Sequence, residues 1–401
     1  MKRTFSTREI VLGVTGSIAA YKACEIASRL VEFGACVTPV LTRSARELVG
    51  PATFEAITGR RAVTAMFERL QDPEIEHIAV AQRANLFLIA PATANILAKA
   101  AHGIADDWLS TSLLATRAPV LFAPAMNANM YAHPATQANI ETLRRRGCWF
   151  VGPDVGRLAC GTEGVGRMAE PLAIIEAAAP LVSTRRDLAG KRVLITSGGC
   201  REPIDPVRFL GNRSSGKMGR ALALEALVRG AGVTVVSGPA AVALPHGVEV
   251  VPVETASEMA EATVPRAAEA DVVVAAAAVA DYRVDKPAAE KRKRSGQPLT
   301  LNLTENPDVL AAISANRHQG QVIAGFAAET ADLLENARVK LDKKKLDLVV
   351  ANKVGAPDSG FDSHNVAACI IDNMGNVEDL GIVSKEIVAE QLFDRIAARL
   401  A

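Results

Sequence analysis

Two doubly wound, mostly parallel α/β domains of Rossmann-like type are predicted for this chain, on three observations. Its 401 residues exceed the roughly 250 at which one core usually stops growing, so at least two domains are expected. Short β-branched apolar runs alternate with amphipathic stretches of ten or more residues, the pattern of βαβ units around a parallel sheet. That alternation lapses in the polar stretch 178–190 and restarts at Lys191 with a new apolar run. The boundaries follow: a first domain over 1–182, a linker over 183–190 and a second domain over 191–401.

In the first half, strands are expected over 10–14, 36–41, 86–90 and 119–123, with helices over 18–33 and 139–146. In the second half the same grammar gives strands at RVLIT, VTVVS, VEVVP, DVVVAAA, 322–327 and 346–352, and helices over 216–229 and up to Ala268. The halves share no residue-level repeat, so two different sites are expected. Residues 283–300, rich in Pro, Gly, Lys and Arg and without periodicity, read as a long mobile loop of the kind that carries function.

Composition narrows the classes. With 49% hydrophobic and 22% charged residues, 29 Gly and 20 Pro, the chain is not collagen-like, disordered or coiled-coil. Lys and Arg total 45 against 44 Asp and Glu, a formal charge of +1, so no global field favours nucleic acid or an anionic membrane. An anionic ligand is then held by local groups. The apolar run 271–280 covers about half of the roughly 20 residues a membrane helix needs, and the N-terminus lacks a signal-peptide core, so a cytoplasmic protein without membrane contact is expected. Six cysteines show neither CxxC nor Cys/His metal spacing, which points to reduced thiols and leaves metal ligands unassigned.

Gly13-Val14-Thr15-Gly16-Ser17-Ile18 follows a strand and opens a helix, so backbone N–H groups and the Ser17 hydroxyl can hold a phosphate there. A tight turn with an N-cap explains the same residues. The motif is not GxGxxG, so no dinucleotide fingerprint is met. Thr42-Arg43-Ser44 adds hydroxyls and a cation at the same carboxyl edge, which suits a mononucleotide phosphate. Pro91-Ala92-Thr93-Ala94-Asn95 and Pro124-Ala125-Met126-Asn127 end the next two strands at that edge. In the second half Thr196-Ser197-Gly198-Gly199 ends a strand, and 202–219 adds hydroxyls and cations before a helix starting near Gly216. This is a dense anion cradle, suited to a triphosphate.

Together with GRLACGTEGVGRM at 156–168, His77 in EHIAVA and GIADDWLS at 103–110, the two Pro-Ala turns resemble the flavin-dependent cysteine decarboxylases over nearly the whole first half. The resemblance implies a flavodoxin-like domain that binds FMN through Gly16, Ser17, Ile18, Ser44, Pro91, Ala92, Thr93, Asn95 and Met126. It implies that a cysteine thiol is oxidised to a thioaldehyde from which CO2 leaves, the electrons then returning from the reduced flavin. In that scheme His77 is the base or orienting group, Asn127 fixes the substrate carboxylate, and Cys160 donates a proton when the enethiol is reduced.

The second half carries AAAAVADY at 275–282, KRKR at 291–294, Asn306-Pro307-Asp308, GFAAET at 325–330 and DLVVAN at 347–352, and it resembles the phosphopantothenate-cysteine ligases. A decarboxylase fused ahead of such a ligase is similar to the bacterial bifunctional phosphopantothenoylcysteine decarboxylase/phosphopantothenate-cysteine ligase family of coenzyme A biosynthesis. The resemblance implies CTP-dependent ligation of 4'-phosphopantothenate with L-cysteine through an acyl-cytidylate, with Mg2+, then decarboxylation to 4'-phosphopantetheine. Asn212 would stabilise the acyl-cytidylate beside Arg208, and Lys291 would close on the triphosphate. Ala275, Ala276, Ala277, Asp281, Pro307, Asp308, Val309, Leu310, Phe326, Lys340 and Lys344 would frame the nucleotide. A homo-oligomer is also implied, of trimeric decarboxylase and dimeric ligase units in a larger closed form such as a dodecamer. The family's KxKK reads KRKR here, and its TxGGT ends in Cys200, so Arg294 would replace a lysine contact and Cys200 a hydroxyl. Two other readings remain. A flavin oxidoreductase with two Rossmann-like lobes is disfavoured by the missing GxGxxG, and a flavin-binding regulatory subunit by the intact His77, Asn127 and Cys160.

Overall fold

Continuous apolar runs fit strands buried on both faces, and such strands form the centres of two separate sheets. The computed structural model describes residues 1–66, 76–159, 161–294, 296, 298–329, 332–353 and 363–400, and the side chains of Glu76, His77, Glu329 and Lys353 are outside that description. The chain divides into two units, Met1–Thr184 and Arg185–Ala401.

In the first unit β1 (Glu9–Val14), β2 (Cys36–Leu41), β3 (Leu86–Ala92), β4 (Val120–Pro124) and β5 (Trp149–Phe150) form a parallel sheet in the order β2-β1-β3-β4-β5. This is the flavodoxin-like order, with its switch point between β1 and β3. Every residue of β3 is buried, as a central strand covered by helices requires. The helix Ala20–Glu32 buries Ala20, Ala23, Ile26, Ala27 and Leu30, the three-and-four spacing of one helical face. It opens two residues after the expected Ile18, because 16–19 form a turn in which the Ser17 N–H donates to the Thr15 carbonyl at 2.8 Å. A ribbon of β6 (Asp154–Arg157) and β7 (Glu163–Arg167) is antiparallel and separate from the sheet.

The second unit holds β8 (Arg192–Ser197), a ribbon of β9 (Arg201–Pro203) and β10 (Phe209–Gly211), then β11 (Gly232–Ser237), β12 (Glu249–Pro252) and β13 (Val272–Ala275). A second ribbon of β14 (Tyr282–Val284) and β15 (Leu303–Glu305) precedes β16 (Val322–Glu329), β17 (Leu348–Lys353), β18 (Asn365–Asp372) and β19 (Val377–Ser384). The main sheet runs β12-β11-β8-β13-β16-β17-β18-β19, parallel as far as β17. Counted within the unit, its parallel part has the 3-2-1-4-5-6 order of the Rossmann fold. β18 and β19 extend it antiparallel, and the helix Lys385–Leu400 buries Val388, Ala389, Leu392, Phe393 and Ile396 against the core.

Two expectations are corrected here. Residues 183–190 are not a free linker, since from Arg185 onward they belong to the second unit. Leu188 is fully buried there, Asp187 pairs with Arg229 at 3.1 Å, and Arg185 pairs with Asp394. The stretch looks polar because its charges face partners. Residues 283–300 are not wholly irregular either: their first residues form β14, which pairs Tyr282 with Glu305 and Val284 with Leu303. Among the described residues no helix is long and apolar enough to cross a membrane.

Candidate active sites

In the first unit the parallel register brings Val14 beside Leu41 and Ala92 beside Pro124, so the predicted turns share one carboxyl edge. The buried Thr15 closes the switch point: its Oγ1 donates to the Pro91 carbonyl at 2.7 Å and accepts the Thr93 N–H at 3.1 Å. Gly16 lies against Ser44, whose Cβ would be 2.4 Å from a Cβ at position 16. No side chain caps the helix Ala20–Glu32 that follows, which leaves its N-terminal dipole for a ligand.

A cavity of about 630 Å³ opens at this edge, walled by Ser17, Ile18, Met126, Asn127 and parts of the β6–β7 ribbon. The ribbon is fixed to the Pro-Ala-Met-Asn turn, because the Met126 N–H donates to the Gly166 carbonyl at 3.0 Å. A Cβ on Gly166 would come within 2.2 Å of the Met126 carbonyl oxygen, so only glycine allows this approach. Asn127 caps the short helix Ala128–Ala132, its Oδ1 accepting the Asn129 N–H at 2.9 Å. The exposed Ile18 and Tyr21 offer apolar surface suited to a flat ring.

Lys22, Arg157 and Arg167 also line this cavity, and among its described lining residues there is no carboxylate. Glu170 pairs with Lys22 at 3.1 Å and with Arg167. Burial raises its carboxyl and the two cations lower it, the balance lying below the usual range. Pro91 and Ala92 are buried in β3, and Asn95 is exposed on the next helix, so these support or flank the cavity without lining it. The His77 side chain and all of Cys160 lie outside the described residues.

In the second unit the switch point falls between β8 and β13, and hydrogen bonds continue the pairing past both strand ends. The Ala277 N–H donates to Thr196 Oγ1 at 3.2 Å, and the Ala278 N–H to the Gly198 carbonyl at 2.9 Å. Gly219 lets the helix Lys217–Val228 pack against the end of β8, since a Cβ there would be 2.0 Å from Ser197 Oγ. Two cavities, of about 710 and 630 Å³, share the wall formed by Ala277, Val279, Asp281, Phe326 and Lys340. Every residue assigned to the nucleotide except Lys291 lines one or both. Lys340 Nζ donates to the Phe326 carbonyl at 2.6 Å, and Lys344 pairs with Asp308. Asn212 lines the smaller cavity, its Nδ2 donating to the Val279 carbonyl at 3.1 Å.

Arg208 and Lys291 line neither cavity. Arg208 is instead drawn to Asp205, with Nε 2.9 Å from Oδ2. That guanidinium, with the N–H groups of Val207, Arg208 and Arg292, holds the Asp205 carboxyl far below the usual range despite its burial. Cys200 does not take the place of a hydroxyl in the cradle. It is buried in the core, where burial and then the Glu202 charge push its thiol up to about 11.

Four cavity lysines, Lys22, Lys217, Lys343 and Lys385, are not among the site residues assigned from the sequence. Lys22 and Lys217 follow the two glycine turns and were readable as part of each anion cradle. Lys385, 5% exposed at the wall of the smaller cavity, sits in no motif, and its position depends on β18 and β19 folding back. Among the described residues no group of three or more His, Cys, Asp and Glu is placed to hold a metal ion. A magnesium ion that rides on nucleotide phosphates needs only one or two protein carboxylates, and Asp281 at the shared wall fits that demand.

Comparison with known proteins agrees with both halves. The Flavoprotein family matches residues 1–183, and the DNA/pantothenate metabolism flavoprotein C-terminal domain family matches residues 188–400. The coenzyme A biosynthesis bifunctional protein CoaBC of Vibrio vulnificus is 41% identical over 98% of this chain and 98% of its own length. That of Bacillus subtilis is 43% identical over 98% and 97%. A solved C-terminal domain of a coenzyme A biosynthesis bifunctional protein covers 54% of this chain and 98% of its own, at 37% identity and a TM-score of 0.46. With full-length relatives at this identity, the chain belongs to the bifunctional coenzyme A biosynthesis protein family.

Proposed function

We propose that the chain is a two-step enzyme, ligating 4'-phosphopantothenate with L-cysteine in its second unit and decarboxylating the product to 4'-phosphopantetheine in its first. The observation that carries this reading is the pairing of whole-length similarity with two switch-point clefts in one chain, each rich in cations. Free carboxylates do not condense with amines, so the acid is first activated. Its oxygen attacks the α-phosphorus of CTP, the bond to the β-phosphate breaks, and pyrophosphate leaves. The cysteine amine then attacks the acyl carbon, and CMP leaves. Lys217, Lys340 and Lys344 meet the phosphate charge, and Asp281 takes Mg2+. Lys291 closes on the triphosphate from the basic loop, and Asn212 holds the acyl-cytidylate beside Arg208.

In the first unit Gly16, Ser17, Ile18, Ser44 and Thr93 hold FMN at the switch point, supported by Pro91, Ala92, Asn95 and Met126. When bound, FMN supplies the reversible two-electron acceptor for the substrate thiol. His77 orients or deprotonates that thiol, Asn127 holds the carboxylate that leaves as CO2, and Cys160 returns a proton. The protein acts in the cytoplasm as a homo-oligomer.

Incubating the purified protein with 4'-phosphopantothenate, L-cysteine, CTP and Mg2+ and following pantothenate-derived masses tests the reading. The cysteine amide is expected first, then a product lighter by CO2. Absence of amide with either CTP or ATP overturns the ligase assignment, and amide that accumulates on flavin-loaded protein overturns the decarboxylase assignment.

A further inference from the structure

We infer that Asp205 is a positioning residue that latches the basic loop 286–294 to the loop carrying Arg208, so that Arg208 and Lys291 are held as one body. The Asp205 side chain is fully buried. Its Oδ1 accepts the N–H groups of Val207 and Arg208, both at 2.9 Å. Its Oδ2 accepts Arg208 Nε at 2.9 Å and the Arg292 N–H at 3.2 Å. Arg208 Nη2 donates in turn to the Arg292 carbonyl at 2.8 Å, which closes a ring of bonds between the two loops. A second link joins the same two loops, where the Ala288 N–H donates to the Ile204 carbonyl at 2.9 Å.

The charges explain why a buried carboxylate is needed here. Arg208 meets the basic loop at the Arg292 backbone, within a run of four consecutive cations, Lys291 to Arg294, and like charges held together repel. Asp205 offsets that repulsion at the point where the loops meet, and its own burial is tolerated only because each oxygen is engaged. Losing the carboxylate charge therefore frees the basic loop more than it perturbs the distant core. The latch rests on this geometry alone. Its effect on catalysis rests on the ligase reading given above.

Limited trypsin digestion of the full-length protein, with cleavage sites mapped by mass spectrometry and thermal midpoints measured alongside, tests the latch. In Asp205→Asn, cleavage within 291–294 is expected to accelerate at least tenfold, with cleavage elsewhere unchanged. Arg292→Pro keeps the Asp205 side chain and takes away only the loop N–H that it accepts, and it should accelerate cleavage after Lys293 in the same way. Should Asp205→Asn lower the midpoint, Arg292→Pro decides the matter, and cleavage within twofold of wild type in a folded variant overturns the latch. In the ligase assay both variants should lose at least tenfold in kcat with the KM for cysteine unchanged, while decarboxylation of supplied 4'-phosphopantothenoylcysteine persists. Asp205→Glu should recover part of the kcat. A wild-type protein that forms no amide removes the ligase reading and leaves the digestion result standing, whereas an active wild type with full kcat in Asp205→Asn removes the positioning role.

Discussion

Thr15 Oγ1 donates to the Pro91 carbonyl at 2.7 Å, joining the ends of β1 and β3 at the switch point of the first sheet. The same hydroxyl accepts the Thr93 N–H, so its removal leaves a buried carbonyl and a part-buried N–H without this partner. Such losses cost about 1–3 kcal/mol. Thr15→Val should lower the thermal midpoint of the first unit by roughly 2–12 °C, at about 2–4 °C per kcal/mol for a unit of this size. It should also reduce retained flavin, read as the visible absorbance of the purified protein. An unchanged midpoint and flavin content would show that the β1–β3 junction does not depend on this bond.

Gly166→Ala places a methyl group within 2.2 Å of the Met126 carbonyl, a contact that only a shift of the ribbon relieves. The expected result is a folded protein whose decarboxylation falls at least tenfold while amide formation is kept. Gly50→Ala is the control, because a Cβ there meets nothing within 4 Å. Equal decarboxylation in both variants would mean that the seating of the ribbon on the Met126 turn is not part of the site.

The parallel core strands were legible because their signal is local: LFLIA and DVVVAAA are apolar on both faces, and each sits between turn residues. β19 was not, because most of its residues are exposed at a sheet edge and carry no continuous apolar run. The role of Lys385 as a cavity residue was hidden for the same reason, being created by the chain returning through β18 and β19. Asn212 and Lys340 were read through motif resemblance, and each has its own hydrogen bond at a cavity wall. Arg208 shows the limit of motif reading, since a sequence gives the residue type but not that Asp205 engages its guanidinium.

Cys200 should be inert and should couple stability to alkaline pH. Burial and the Glu202 charge raise its folded pKa from 9.0 to about 11. Between those values the folded state keeps a proton that the unfolded state releases, so the contribution is fully present below pH 9 and declines as pH rises toward 11. Two pKa units correspond to on the order of 2–3 kcal/mol. Denaturant unfolding at pH 8 and at pH 10.5 should show a smaller alkaline loss in Cys200→Ala than in wild type. Native Cys200 should also resist iodoacetamide at pH 8 until denaturant is added, and rapid labelling of the native protein would place the thiol at the surface instead.

Among the described lining residues Lys340 is the cation common to both cavities of the second unit, held by its bond to the Phe326 carbonyl at 2.6 Å. A charge fixed at the wall between the two cavities acts on a triphosphate that spans them, and hydrogen bonds to charged groups are worth about 1.5–3 kcal/mol. Lys340→Met should therefore raise the KM for CTP by roughly 10–100-fold, since each 1.4 kcal/mol is a factor of ten. The KM for cysteine and the rate of decarboxylation should stay unchanged, and Lys340→Arg should keep part of the nucleotide affinity. Lys345→Met is the matched control: Lys345 lies near the same helix end but is exposed and lines neither cavity. If the two methionine variants raise the KM for CTP equally, nucleotide affinity comes from the diffuse charge of the lysine cluster. If only Lys340→Met does, it comes from one ammonium placed at the junction.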